Sequence, residues 1–511
     1  MDKKINQLKS GVILSYISML LTLVSSLMLT PYMIKCLGQS EYGLYQLIGA
    51  FAGYLGLLEF GIGTTTVRYL SKYNQENDEI SRENFITLSL IIYSIITLLI
   101  IVVSVFMFIN IEDIFINSIQ GSDIIKAKTM FVILVIGMIF ATICSVFGAI
   151  LTSFEEFFIP RLMNVASNVL KIIMTFVLLF INPTAVSLTI LSVSLGIIFN
   201  IFNVVYSVKK YNVRIKLHYW DYALFKEVMT FSLYNFMNML MAQIYWKLDT
   251  MIIGVVMSTS MVAIYSIGMQ LNNIILNLTT SVTTVILPRI TKLVTGNASR
   301  KEITMFMVKI GRIILILYSM ILIGFLLFGK QFVILWAGEE YILSYYIALI
   351  IIVFAAIPRI QGAANDILKA KNKHGFLSVM YIITGLINIL ITLMFIEKYG
   401  LLGCASGTAF SLIVGNIVIA NIYYEKKADI DVRLFFKETF RGIWKTCLVS
   451  LIICIPLSLI ETMTYTTLFI KCGVFFIVYV YGLILWGLNE EEKIMFKDLL
   501  PRKRVVVSRG D

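Results

Sequence analysis

Predominantly apolar stretches of about 20 residues or more recur from one end of this chain to the other, each parted from the next by a short polar loop, and each is long enough to cross the roughly 30 Å hydrocarbon layer of a bilayer as a helix. Only 14% of the 511 residues are charged and 59% are hydrophobic. A soluble chain would carry roughly a quarter charged residues. The sequence therefore predicts an all-α integral membrane protein with no separate soluble domain. Fourteen transmembrane helices are expected, at about 11–34, 42–64, 85–109, 128–152, 158–181, 185–208, 229–256, 261–287, 304–328, 341–360, 376–397, 400–423, 442–461 and 466–488.

The basic residues test that count. With both termini inside, 34 of the 42 Lys and Arg fall at inner ends and loops, and only Lys35, Lys126, Lys128, Lys330, Lys398 and Lys471 fall outside. Lys171 and Lys247 lie within spans. A missed or extra span would scramble every later loop, so the asymmetry supports the number of spans and a cytoplasmic location for both ends. It also explains the net charge of +12 without a nucleic-acid partner. The expected organisation is an N-terminal lobe at 1–208 (spans 1–6), a cytoplasmic linker at 209–228, a C-terminal lobe at 229–425 (spans 7–12), spans 13 and 14 within 426–488, and a basic cytoplasmic tail at 489–511. The first apolar run follows Lys3, Lys4 and Lys9 and reads as a spanning helix, not a cleaved signal. The inner connections 209–228, 288–303 and 424–441 are basic and partly amphipathic, as expected of segments lying along the inner leaflet.

An internal repeat joins the two lobes. Ser40-Glu41-Tyr42-Gly43-Leu44-Tyr45 lines up with Ser260-Met261-Val262-Ala263-Ile264-Tyr265, 220 residues later. A chain of two similar halves is a common transporter plan. In the first copy Tyr45, Gly49, Ala52, Gly56, Glu59 and Gly63 follow at intervals of 4, 3, 4, 3 and 4, which predicts one continuous small-residue helix face open to close approach. A carboxylate in apolar sequence is costly, so Glu59 should face the bundle or water.

Span 5 carries Asn164, Asn168, Lys171 and Thr175 on one face. Lys171 stands about 20 Å along the helix from its inner end, by the rise of 1.5 Å per residue, and needs an anionic substrate, a carboxylate or trapped water as partner. Span 7 carries Asn235, Asn238, Ala242, Tyr245 and Asp249 on one face, with Lys247 turned away from Asp249. Span 8 adds Gln270, Asn272, Asn273, Asn277 and Thr279, which suit either a wet wall for polyols or hydrogen bonds between helices. Arg68 sits at the inner end of span 2, where it would attract phosphate. No GxxxxGK[ST] motif is present, His218 and His374 have no ligand spacing, and the six scattered cysteines form no CxxC pair. No metal site or catalytic constellation is expected.

The chain resembles the polysaccharide-biosynthesis, Wzx-type oligosaccharide flippases of the multidrug/oligosaccharidyl-lipid/polysaccharide (MOP) exporter superfamily. The resemblance runs through Pro31-Tyr32, Leu37-Gly38-Gln39-Ser40-Glu41-Tyr42-Gly43-Leu44-Tyr45, Glu59-Phe60-Gly61-Ile62-Gly63 and Arg68. It continues in Lys247-Leu248-Asp249-Thr250-Met251-Ile252-Ile253-Gly254, Tyr265-Ser266-Ile267-Gly268-Met269-Gln270-Leu271 and Pro288-Arg289-Ile290. It implies two six-helix lobes around a central cavity, with the last two helices outside. It also implies alternating access that moves an undecaprenyl-diphosphate-linked repeat unit outward, for capsule, exopolysaccharide or O-antigen. On that reading Lys171, Arg68, Asn164, Asn168, Asn238, Lys247, Gln270, Asn273 and Asn277 bind substrate. Asp249 and Glu59 couple transport to H⁺ or Na⁺. The partners are the lipid-linked oligosaccharide, membrane lipid and other polysaccharide assembly proteins. A MATE-like extruder of drugs or metabolites is the nearest rival. A membrane-embedded polymerase or ligase would need a larger outer loop than any here, since 110–127 is the longest.

Overall fold

The computed structural model describes residues 2–296, 298–371, 373–461 and 464–499, with some side chains between 2 and 16, 231 and 246, 280 and 295, and 495 and 499 outside the described set. Among the described residues every regular element is helical. The chain begins with α1 (Asp2–Leu37), which carries Pro31 inside it. Next come α2 (Gln39–Gly53), a 3₁₀ segment at Tyr54–Glu59, and α3 (Ile62–Glu76). The chain continues through α4 (Glu79–Ile109), α5 (Ser122–Ser153), α6 (Phe158–Ile181), α7 (Ala185–Tyr211), α8 (Tyr222–Val256) and α9 (Thr259–Thr295). Then follow α10 (Arg300–Ala337), α11 (Ile342–Ile360), α12 (Gly362–Ala370), α13 (Gly375–Tyr399) and α14 (Leu401–Ser411), which passes through a π segment, Leu412–Ile419, into α15 (Ala420–Lys427). Last are α16 (Val432–Phe440), α17 (Ile443–Leu459), α18 (Tyr465–Gly482) with a π turn at Leu483–Gly487, and α19 (Glu490–Leu499).

Twelve of the described helical spans are long and apolar enough to cross a membrane, and α16 with α17, bent by 44°, makes a thirteenth. Fourteen is therefore not reached among the described residues. The expected seventh span falls on α8, a helix of 35 residues, many of whose side chains are outside the described set.

Two compact units emerge. Unit 1 comprises Met1–Ile267 with Tyr381–Gly407, and unit 2 comprises Gly268–Met380 with Thr408–Asp511. In unit 1, α1 packs along α6, and α5 packs along α7. Its core includes Ile62, Tyr69 and Leu70 of α3, Phe85, Ile92 and Tyr93 of α4, Phe147 and Ile150 of α5, and Val228 of α8. Unit 2 gathers Ile323, Leu327 and Phe328 of α10 against Cys454 of α17 and Leu468, Phe475 and Tyr479 of α18. Elsewhere the helices turn large apolar side chains outward, as at Leu98, Phe106, Phe180 and Met394. Such residues cost nothing against lipid tails, and they leave each unit's polar groups as the informative ones.

The second span differs from the continuous helix expected of it. Its helix stops at Gly53, tightens to 3₁₀ through Glu59, and turns through Phe60 (φ 53°) and Gly61 (φ 64°) before α3 begins. Glycines at 53, 56, 61 and 63 leave this stretch with little to hold it helical, and the left-handed pair interrupts the helix within a stretch that still runs on as one span, Gln39–Glu76. Phe60 takes a conformation that costs a residue with a Cβ about 1–2 kcal/mol, against which it packs on the ring of Phe236, 4.8 Å away. The Gly53 carbonyl at the end of α2 accepts from Gln243 of α8 at 3.2 Å, meeting one of the acceptors that a helix end frees. The expected small-residue face also changes. A Cβ at Gly49 would meet nothing within 4 Å, whereas one at Gly43 would lie 1.8 Å from the Thr259 carbonyl oxygen and 3.2 Å from Ala263 N. Helices approach closely at Gly43, and again where Gly254 receives Leu47.

Candidate functional site

The repeat seen in the sequence has a physical counterpart in unit 1. Gly43 and its aligned residue Ala263 stand against each other, and Ser40 Oγ lies 2.8 Å from Thr259 Oγ1. The aligned segments 40–45 and 260–265 thus meet at one small-residue contact, where the first turn of α9 touches α2.

Glu59 occupies the last position of the 3₁₀ segment, at the break. It is half-buried and accepts from Thr142 Oγ1 of α5 at 3.4 Å. Beyond the break, Thr65 of α3 and Ser232 of α8 pair their hydroxyls at 3.2 Å. Arg68 is exposed, with its guanidinium 5.8 Å from the centre of the Tyr69 ring.

Asp249 lies near the end of α8, only 5% exposed, and its Oδ2 accepts from Tyr265 Oη at 2.6 Å. Lys247, two residues earlier, is exposed. From α14, Cys404 lies within electrostatic range of Asp249. One turn further on, a Cβ at Gly407 would come within 2.6 Å of Asn388 Oδ1 and 2.7 Å of Thr392 Oγ1 on α13. Glycine there lets α14 come down onto those polar groups, of which Thr392 donates to Asn388 at 3.3 Å. Asn388 and Thr392 are both buried. A buried carboxylate therefore sits in a unit that also buries an amide and two hydroxyls.

The α6 stripe faces α1. Asn168 Nδ2 donates to Ser18 Oγ and Thr22 Oγ1 at 3.4 Å each, and Thr175 is buried. Asn164 and Lys171 on the same stripe are exposed, as is Thr22 opposite. The result is an uncovered polar strip with one cation in otherwise apolar helix surface. Among the described residues, Glu59 takes its hydrogen bond from Thr142 and Asp249 takes one from Tyr265, and Lys171 lies exposed on another helix. In unit 2, Asn273 and Asn277 are exposed one turn apart on α9, and Gln270 is half-buried. Asn272 and Thr279 point inward, Thr279 returning its hydroxyl to the carbonyls of Ile275 and Leu276. The side chains of Asn235, Asn238, Ala242 and Tyr245 lie outside the described residues.

Several partners were not visible in the pattern. Tyr265 stands in the repeat, but nothing in the spacing ties it to Asp249 across the α8–α9 turn. Arg312 is the larger omission. It is 4% exposed, gives Nε and Nη2 to both carboxylate oxygens of Glu492, and donates to the carbonyls of Glu438, Arg441 and Gly487. A lone Arg near the inner end of a span reads as one more positive-inside charge. Lys471 likewise reads as an outer-loop residue, yet it is 5% exposed and donates to Gln331 and the Ile460 carbonyl.

Long helices with outward apolar faces define a multi-pass membrane protein. Its fold is similar to that of the lipid II flippase MurJ in an inward closed conformation, with TM-score 0.71 over 96% of this chain and 99% of that chain at 17% identity. It is also similar to an inward-facing multidrug resistance MATE family transporter of the MOP superfamily, with TM-score 0.63 over 81% of this chain and 96% of that one at 15% identity. Among curated relatives, the probable low-salt glycan biosynthesis flippase Agl15 of Haloferax volcanii is 20% identical over 196 residues, and the chain spans only 41% of its length and matches over 38% of its own. Residues 8–294 match the model of the polysaccharide biosynthesis protein family, and the chain belongs to that family.

Proposed function

We propose that this protein flips a lipid-linked oligosaccharide across the membrane by alternating access. The substrate we infer is an undecaprenyl-diphosphate-linked repeat unit moving from the inner to the outer leaflet of a bacterial cytoplasmic membrane. The observation that carries this reading is the pair of carboxylates in unit 1, Asp249 buried against Tyr265 and Glu59 half-buried at the left-handed break of the second span. Backbone held in a sparsely populated conformation clusters where a chain must switch, and broken spans are what transporters build sites from. Family membership and the similarity to flippases by name favour a lipid-linked glycan over a drug as cargo.

In this mechanism the exposed cations Lys171, Arg68 and Lys247 attract the diphosphate, whose oxygens they can hold by charge-assisted hydrogen bonds. Asn164, Asn168, Asn238, Gln270, Asn273 and Asn277 contact sugar hydroxyls. Asp249 is the coupling group, because a buried carboxylate can trade its Tyr265 hydrogen bond for a proton or Na⁺. Glu59 is the second candidate for that role. Both termini lie in the cytoplasm.

The cellular test is polysaccharide output. Lys171→Ala should abolish surface polymer while the protein is still made and inserted. Normal output from that variant would remove Lys171 from the mechanism.

A further inference from the structure

The bend between α16 and α17 leaves an open recess of about 610 Å³ lined by Phe436, Lys437, Glu438, Phe440, Arg441 and Trp444. We propose that this recess binds the phosphate headgroup of an anionic phospholipid drawn from the surrounding leaflet, at a place separate from the transported cargo.

Charge is the first argument. Arg433, Lys437, Arg441 and Lys445 recur every fourth residue and all four are exposed. Glu438 is the opposing charge among the lining residues, and it accepts from Arg441 Nη1 at 3.3 Å. The local balance is still cationic, and a phosphate can take Arg441 and Lys437 together. Lys445 Nζ stands 5.7 Å from the centre of the Trp444 ring, which keeps a third cation beside the recess.

Position is the second argument. From Trp444 onward α17 exposes Leu448, Ile452, Ile453, Ile455 and Leu459. A helix face so apolar borders lipid tails, and an exposed Trp at its head marks headgroup level. The recess is thus continuous with an acyl-chain surface, so its occupant carries both phosphate and tails.

Pre-formation is the third argument. Gly442 (φ 79°) makes the bend, and a Cβ there would lie 2.0 Å from the Trp486 carbonyl oxygen. Phe435 is fully buried, with its ring 3.0 Å from where a Cβ on Gly311 would be. Arg312 holds the carbonyls of Glu438 and Arg441 from below. The site is held rigid from behind while its cations stay exposed in front.

Native mass spectrometry of the full-length protein, released from detergent with phosphatidylglycerol or phosphatidylcholine of the same chains, tests this. Wild type should retain phosphatidylglycerol preferentially. Each basic residue near an anionic surface is worth about fivefold, so the double variant Lys437→Gln, Arg441→Gln should lose about 30-fold of that preference. The variant's melting temperature should stay that of wild type, since both side chains are exposed. Equal retention of the two lipids by wild type overturns the proposal. So does an unchanged preference in a folded double variant, or displacement of the lipid by millimolar inorganic phosphate, which would make the recess a free-anion site. Capture of a protein in place of lipid would likewise overturn it.

Discussion

Tyr265 Oη donates to Asp249 Oδ2 across 2.6 Å, and both side chains are buried. A hydrogen bond to a charged acceptor in such a place is worth about 1.5–3 kcal/mol. Tyr265→Phe keeps the ring and removes that donor, so it should lower thermal stability by about that amount in a detergent melt. An unchanged melting temperature would show that Asp249 does not depend on this hydroxyl.

Gly43 and Gly49 make a matched pair on α2. A methyl at 43 must enter the space of the Thr259 carbonyl, a backbone atom that cannot swing aside, while one at 49 meets nothing. Gly43→Ala should cost at least the 1–3 kcal/mol typical of overpacking and cut the yield of folded protein. Gly49→Ala should be neutral, or stabilise by up to about 1 kcal/mol through helix propensity. Monodispersity in size-exclusion chromatography separates the two, and similar behaviour would contradict the close contact.

That pair also shows what the sequence could and could not disclose. Long apolar runs and the loop charges gave the membrane class and most of the spans, because those follow from bilayer thickness and local composition alone. The 220-residue alignment puts Gly43 in register with Ala263, and the fold sets those two against each other. Period alone could not reveal the break at Phe60 and Gly61. Residues 49, 52, 56, 59 and 63 keep helical spacing whether or not the backbone does, and left-handed torsions at 60 and 61 end the shared face. Partners such as Tyr265 for Asp249 and Glu492 for Arg312 come from tertiary packing that no spacing encodes.

Arg312 offers a test in unit 2. Removing one member of a buried ion pair costs about 3–5 kcal/mol, since the other is left uncompensated. Arg312→Ala should therefore destabilise strongly and free α19, exposing residues 490–499 to protease. Arg312→Lys should rescue little, because an ammonium cannot match both Glu492 oxygens and three carbonyls together. Wild-type protease resistance in Arg312→Ala would contradict the arrangement.

Asp429 gives a pH prediction outside the membrane spans. The Lys371 ammonium, hydrogen-bonded to its Oδ2 at 2.6 Å, holds this carboxyl below its ordinary value of 3.8. A carboxyl depressed by folding adds stability that is complete above that ordinary value and is lost as the pH falls through the folded one. Asp429 is largely exposed, so the effect is small. Lys371→Gln should melt slightly lower than wild type at pH 6, and the gap should close toward pH 3. A gap that persists in acid would assign it to something other than this pair.

Transport itself is tested most directly in proteoliposomes holding the purified protein and a fluorescent undecaprenyl-diphosphate oligosaccharide, with outer-leaflet label destroyed by a membrane-impermeant quencher. Wild type should render the inner-leaflet pool quenchable, Lys171→Ala should slow this at least about tenfold, the rate equivalent of a charge-assisted hydrogen bond worth about 1.5 kcal/mol, and Asp249→Asn should lose its response to an imposed H⁺ or Na⁺ gradient. Quenching no faster than in protein-free vesicles, under any gradient, would contradict the assignment of this chain as a lipid-linked oligosaccharide flippase.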